Sequence, residues 1–447
     1  VTDSAPAQVS LATHRRVRTW TLCALYLAQG VPYGFVTVTL VAHLASQGMD
    51  VRETGEILAF TTLPWVFKFV WGPVIDRFVW PSLGRRRPWI IMAEAMMALT
   101  LLAMIFVDDL TASISLLAWM IFIHNCFNSL QDVAVDALAV DLLEDEERGK
   151  VNGYMWASKW AGLGIGGAGT GLVLASMGLR GTLVLQVGLL ALIMLFPLCI
   201  RERPGDRLFP WSSSVAAVER AVTAVGVSTA SLLRDLRRAF SLRSTLIGAL
   251  LMVLVQTAVG VAGALGPGLF TKSLGWTTEE YSAVAGGYGV MLAIGGALLG
   301  GALLAHFGRR RIMAVAIVGI SVILGGFGIL HDLWDDRTFA TVYLIALPTC
   351  TSLLQVVIFA VCMDLSWPRV AASQFTAYMA MLNLSTIVGN KLAAPLTDAF
   401  ATETVFIIIG LANLALVLFL PLIDLGQTRR ELGDDEPPEP AEAALAS

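Results

Sequence analysis

Charge is scarce in this sequence. Only 14% of its 447 residues are charged, 56% are hydrophobic, and mean hydropathy is +0.72. A soluble chain carries about a quarter charged residues, so an integral membrane protein is expected. Cysteine is sparse and unpatterned. Cys23, Cys126, Cys199, Cys350 and Cys362 all lie in apolar text without a CxxC or zinc spacing. Packed free thiols are therefore expected, with neither a disulfide frame nor a metal site. No nucleophile–base set stands out, so an enzyme is not expected, nor a cofactor, nor a nucleic-acid partner. The glycines between Gly162 and Gly171 are not a phosphate loop, because no Lys-Ser/Thr follows them. No cleavable leader pattern precedes the basic text His14-Arg15-Arg16-Val17-Arg18.

What is present is hydrocarbon in membrane-length runs. A span needs about 20 apolar residues. Twelve such runs are read, near 19–45, 54–75, 88–107, 113–141, 150–175, 179–200, 243–271, 279–305, 311–331, 338–366, 373–400 and 403–424. One set of connecting loops holds 23 Lys and Arg, the other only Arg52, Arg180, Lys272 and Arg337. The positive-inside rule makes the rich side cytoplasmic, both termini included. An inner-membrane, multi-pass protein is expected, monomeric and solvated by lipid.

The segment 201–242 is too polar to span. From about Ser214 to Phe240 it reads as a mixed apolar-basic helix lying on the cytoplasmic surface. The tail from 425 to 447, containing DDEPPEPAEAA, reads as disordered. The linker divides the chain into halves, 1–200 and 243–424, whose texts correspond. Gly72-Pro73-Val74-Ile75-Asp76-Arg77 with Gly84-Arg85-Arg86-Arg87 follows the second span; Gly301-Ala302-Leu303-Leu304-Ala305-His306-Phe307-Gly308-Arg309-Arg310-Arg311 follows the eighth. Asp141 with Arg148, and Asp364 with Arg369, close the fourth and tenth spans. Two parallel six-helix repeats are the architecture of major facilitator transporters, with the substrate site between the halves. The fold class is thus read as all-α integral membrane, twelve transmembrane helices in two six-helix bundles.

The fourth span carries the densest polar text. Asn125, Asn128, Asp132 and Asp136 are spaced by 3, 4 and 4 residues, which places them on one narrow helix face. Such a sector lines a water-filled cavity or forms a hydrogen-bond network that fixes helix packing. If spans one, four, seven and ten line a cavity, Gln29, Tyr33, Asn125, Asn128, Gln256 and Gln355 are substrate-binding candidates, joined by Lys159 of span five and Asn383 of span eleven. Lys159 of span five lies at the depth of Asp132 and can pair with it, relieving two desolvation costs. Asp132 and Asp136 are the proton-coupling candidates. Lys68 either snorkels to the surface or serves the interior, and His124 reads as packed and neutral. Asp76, Arg77, Arg85, Arg86, Arg87, Asp141 and Arg148 read as a gate at the cytoplasmic end. There Asp76 can accept hydrogen bonds from a helix N-terminus of the other half. Ala305 stands where the second copy would have its aspartate, so an asymmetric latch is expected.

Gly30-Val31-Pro32, Val66-Phe67-Lys68-Phe69-Val70-Trp71-Gly72-Pro73, Leu83-Gly84-Arg85-Arg86-Arg87, Gln131-Asp132-Val133-Ala134-Val135-Asp136-Ala137 and Glu146-Glu147-Arg148-Gly149 together resemble the AmpG-type muropeptide permease family. The acetyl-CoA transporter family shares the Gln-Asp-x-Ala-x-Asp element, and some siderophore importers look related. The resemblance covers about the first 170 residues. It implies proton-driven import of a small polar or anionic molecule, and a basic residue at the position of Lys159. Span five lacks the Gly-Pro pair of facilitator antiporters, which points to symport or uniport. Acyl-CoA or siderophore transport, or a sensor on the same fold, are the alternatives; retained Asp132 and Lys159 favour transport over sensing.

Overall fold

The computed structural model describes residues 10–40, 60–61, 63–80, 82–107, 114–209, 211, 229–277, 280–281 and 283–433. Its elements are helical. α1 (Arg15–Gly34) runs into a π-helical turn, Phe35–Leu40. A 3₁₀ turn, Phe67–Val70, leads into α2 (Trp71–Arg77). α3 (Arg87–Ile105) and α4 (Ile114–Leu142) follow. α5 (Asp145–Gly164) continues through the turn Ile165–Gly169 into α6 (Thr170–Cys199). Gly178, at φ 68°, reverses the chain inside α6, a backbone region open chiefly to glycine. α7 (Thr229–Ser241) lies between the halves.

The second half comprises α8 (Arg243–Leu254), α9 (Thr257–Gly268), α10 (Gly289–His306), α11 (Arg309–Ile329), α12 (Arg337–Leu365), α13 (Ala371–Ala399) and α14 (Thr402–Ala415). Each of the twelve expected spans contains described helix. Among the described residues seven helices are long and apolar enough to cross a membrane by composition alone. α1, α2, α4, α5 and α13 are not among them. α1, α4, α5 and α13 carry Gln29, Asn125, Asn128, Asp132, Asp136, Lys159 and Asn383.

The packing repeats between the halves. α1 packs on α5 as α9 packs on α13; α3 packs on α4 as α11 on α12; α3 packs on α6 as α11 on α14. The halves meet where α2 crosses α13 and α5 crosses α10. Small residues permit this closeness in a membrane bundle. A Cβ at Gly30 would stand 2.2 Å from the Lys159 carbonyl oxygen, and one at Gly389 2.2 Å from that of Thr257. Gly30→Val must push α5, and Lys159 with it, aside. We expect it to lose about 1–3 kcal/mol or more of stability, seen as reduced folded yield in detergent by size exclusion. A wild-type yield and melting profile would contradict this seam.

Three segments depart from the sequence reading. Residues 214–228 of the expected surface helix lie outside the described residues. α7 itself lays Leu232, Leu236 and Ala239 on Trp367 and Val370, so protein covers that face, and Arg234 and Arg237 face outward. The tail expected to be disordered begins as a short helix, α15 (Gln427–Leu432). Thr428 donates to the Leu365 carbonyl at 3.1 Å, and Arg429 donates twice to Asp145. Those hydrogen bonds, then the charges of Arg148 and Arg429, hold the Asp145 carboxyl below the ordinary range. The expected seventh span is broken at Gln256, between α8 and α9.

Candidate functional site

The polar sector of α4 is buried throughout: Asn125, Asn128, Asp132 and Asp136 are each at most 5% exposed. Asp132 is held by two ammonium groups. Lys68, from the turn before α2, lies 2.8 Å from one carboxylate oxygen; Lys159, from α5, lies 3.3 Å from the other. Neither lysine snorkels to the surface. Lys68 is 5% exposed and Lys159 24%, so Lys159 is the cation more open to a visiting molecule. Its ammonium also stands 5.5 Å from the Tyr26 ring and 5.3 Å from the Trp156 ring, where the π faces favour a cation. One turn along α4, the Tyr26 hydroxyl donates to Asp136. On the neighbouring face, Gln29 donates to Gln131 at 2.9 Å, and Gln131 donates to Glu94 at 3.3 Å. Burying an ion pair costs several kcal/mol per ion, repaid only with good geometry and further hydrogen bonds. Asp132 meets this condition by taking a separate cation on each oxygen.

The other candidates spread outward from this cluster. Asn125 donates to the Thr61 carbonyl at 2.7 Å. Asn128 is wholly buried, and neither of its amide atoms has a hydrogen-bond partner among the described residues. Tyr33 is exposed. Gln256 interrupts its span and donates its backbone N–H to the Ser385 hydroxyl at 3.0 Å, while its side-chain nitrogen has no described partner. The Gln355 side-chain oxygen is also without one. Asn383 donates across the halves to the Trp65 carbonyl at 3.1 Å. Asp132, Lys159, Lys68, Tyr26 and Asp136 are thus brought together, whereas Gln256 and Gln355 make no described hydrogen bond to them.

The arginine-rich end joins the halves. One oxygen of Asp76 accepts from the backbone N–H and the hydroxyl of Ser373, both at 2.9 Å, in the first turn of α13. Its other oxygen takes Arg86 at 2.9 Å and Arg85 at 3.4 Å. Arg86 also reaches Asp141 at 2.8 Å. The carboxylate therefore sits on a helix N-terminus, where the macrodipole favours it, and is neutralised from its own half. The second half answers differently. Arg309 pairs with Asp364 at 2.7 Å, and Arg148 crosses over to the same carboxylate at 3.2 Å. Arg87 and Arg77 depart from the expected gate. Arg87 donates to the carbonyls of Pro197, Leu198 and Leu208 and so ties α3 to the end of α6. Arg77 is exposed, with its guanidinium 5.6 Å from the Phe78 ring. Beside this latch α5 and α10 touch backbone to backbone: a Cβ at Gly153 would be 2.8 Å from the Ala297 carbonyl oxygen. Gly153→Leu is expected to hold this end apart and lower cross-linking between cysteines placed at Lys150 and Leu304. Unchanged cross-linking would show that the crossing tolerates bulk.

The family model described as Major Facilitator Superfamily matches residues 22–390 and 261–446. The chain belongs to the Major Facilitator Superfamily. This facilitator is 28% identical over 312 residues to the anhydromuropeptide permease of Escherichia coli K12, a match covering 69% of this chain and 60% of the permease. It is 22% identical to a transporter named AmpG 4 from Rickettsia conorii, over 70% of this chain and 73% of that one. In fold it is similar to a proton:xylose symporter bound to 6-bromo-6-deoxy-D-glucose, with a TM-score of 0.68 at 12% identity, covering 92% of this chain and 97% of that one. It is similar also to the human organic anion transporter MFSD10, with a TM-score of 0.65 at 14% identity, covering 91% and 99%. Facilitators are not enzymes, and the multi-pass membrane class follows from the family.

Two residues of this facilitator's cluster carry no assignment in the sequence, and the structure decides for Lys68 between surface and interior. Tyr26 gave no signal beyond an aromatic in an apolar helix. Glu94 stands alone in Met92-Ala93-Glu94-Ala95-Met96, and a carboxylate inside a span was signal enough to single it out.

Proposed function

We propose that this facilitator imports a polar or anionic metabolite, of the muropeptide kind, together with protons across the inner membrane by alternating access. The observation that carries the reading is Asp132 between Lys68 and Lys159. Protonation of that carboxylate frees Lys159, the more open cation, for an anionic group of the substrate. Two carriers of the fold, the xylose symporter above and the fucose:proton symporter of Escherichia coli, are named as proton symporters, and the named permease relative handles anhydromuropeptides. The latch at the arginine-rich end closes the cytoplasmic side, with residues 1–200 and 243–424 as the rocking halves. The working unit is a monomer in lipid.

A thermal-shift screen of purified protein against muropeptides, acyl-CoA and siderophores tests the substrate class. Stabilisation by muropeptides alone is expected, and a response confined to another class would replace it. Orientation is tested separately, in a background without native cysteines. Asp335→Cys should label with an impermeant reagent in intact cells and Ser82→Cys should not. Labelling of Ser82→Cys would reverse the topology.

A further inference from the structure

Glu94 takes no part in the reading above. It lies seven residues into α3, where Gln131 of α4 reaches it, and is 0% exposed. One oxygen receives a single hydrogen bond, from Gln131 at 3.3 Å; the other has no hydrogen-bond partner among the described residues. Gln131 is itself held from two more sides, accepting from Gln29 and donating to the Leu25 carbonyl at 3.3 Å. The acid therefore ends a row of side chains, Gln29 to Gln131 to Glu94, buried among three helices.

Among the described residues no cation serves it. Both intramembrane lysines of this half are committed to Asp132. Arg86 is engaged by Asp76 and Asp141, and Arg87 by carbonyl groups. On the packed elements the titratable groups are His124, Cys126, Asp132, Asp136 and Asp141 of α4, Arg15, Arg16, Arg18, Cys23, Tyr26 and Tyr33 of α1, and Arg180 and Cys199 of α6. None of them pairs with Glu94: His124 meets Thr100 and the Met97 carbonyl, Tyr26 meets Asp136, and Arg180 lies at the exposed outer turn. A lone carboxylate with one long hydrogen bond in so dry a place is far costlier than the neutral acid. A glutamine would make the same contact to Gln131 without an ionisable group. What distinguishes the acid here is its capacity to lose a proton.

We propose that Glu94 is a second proton-binding site of the transport cycle, loaded in this latched conformation and linked through Gln131 to Asp132. The two carboxyls flank the same turn of α4 in opposite charge states: Asp132 is ionised between two ammonium groups, and Glu94 is neutral with none. Gln131 and Asp132 are consecutive, so a movement of α4 that parts Asp132 from its lysines also shifts the amide that holds Glu94. The loaded proton then leaves once water or a cation reaches the carboxyl. No covalent bond other than O–H is made or broken. The inference rests on the proton-coupled reading, and the experiment separates the two.

The full-length protein in proteoliposomes is compared with Glu94→Gln, Glu94→Asp and Asp132→Asn, using the muropeptide found by the screen or, failing that, proton flux by a pH-sensitive dye. Infrared spectra at neutral pH provide a readout independent of transport. Wild type should show a protonated-carboxyl C=O band that shifts in D₂O and is missing from Glu94→Gln. Glu94→Gln, permanently neutral, should accumulate substrate at least tenfold less under a pH gradient while still exchanging it measurably; Glu94→Asp should recover part of the loss. Wild-type accumulation by Glu94→Gln, or a spectrum unchanged by the substitution, overturns the site whatever Asp132 does. Normal accumulation by Asp132→Asn with loss in Glu94→Gln would keep Glu94 and remove Asp132 as the carrier.

Discussion

Asp132→Asn should abolish uptake driven by a pH gradient and leave substrate exchange measurable. Exchange needs no net proton movement, whereas accumulation needs a group that takes and gives up a proton in each cycle. The geometry adds a cost that sequence could not supply. Removing the carboxylate strands the buried Lys68 ammonium and the half-buried Lys159 ammonium, and breaking a buried pair typically destabilises by about 3–5 kcal/mol. Lys68→Met placed on Asp132→Asn should restore much of that stability, since Lys68 is the more buried cation, without restoring driven uptake. Lys159→Ala should leave Asp132 paired with Lys68 and chiefly weaken substrate binding. A charge-assisted hydrogen bond contributes about 1.5–3 kcal/mol, roughly 10- to 150-fold in affinity. Uptake, exchange and melting measured on the singles and the double separate coupling from scaffolding. If Asp132→Asn accumulates substrate like wild type, Asp132 is not the obligatory carrier.

Asp76→Asn carries the second large effect, on conformation. The neutral amide keeps a hydrogen-bond acceptor for Ser373 but loses the charge that Arg85, Arg86 and the α13 N-terminus all favour. A loss of about 1.5–3 kcal/mol in the latched state moves the equilibrium between states by about 10- to 150-fold. Cysteine pairs spanning α2 and α13 at this end should cross-link less, and transport should slow with little loss of folded protein. Ser373→Ala should act in the same direction and more weakly, because its backbone N–H remains. Equal transport at equal expression would remove the latch from the cycle.

The sequence makes some of this site legible and hides the rest for physical reasons. The face of α4 could be read because helical spacing alone aligns Asn125 to Asp136. The pairing of Lys159 followed from equal depth in the next helix. Lys68 could not be assigned because its direction depends on the 3₁₀ turn at Phe67–Val70, which rotates the side chain relative to a regular helix. Arg86 and Arg87 are indistinguishable as letters. The turn entering α3, where Glu202 accepts the backbone N–H groups of Arg85, Arg86 and Arg87, sends one to Asp76 and the other to the end of α6. Ser373 gave no signal, since a serine in a first helical turn is ordinary. The fold was legible through hydropathy and repeated loop text, although the polar helices of the site fall short of a span by composition alone.

The α5–α10 crossing at Gly153, Ala297 and Gly301 sets how the carrier responds to mutation over time. Contacts between such small residues bury little apolar area, so parting them forfeits little of the hydrophobic term. Under the proposed rocking cycle this lowers the cost of parting the halves without loosening either one. The same contact has no side chain that can turn aside, so any added atom is felt at once. Substitutions here should therefore change how long each state lasts and leave the folded architecture intact. This seam is where a variant with altered turnover but unaltered substrate preference is most readily found.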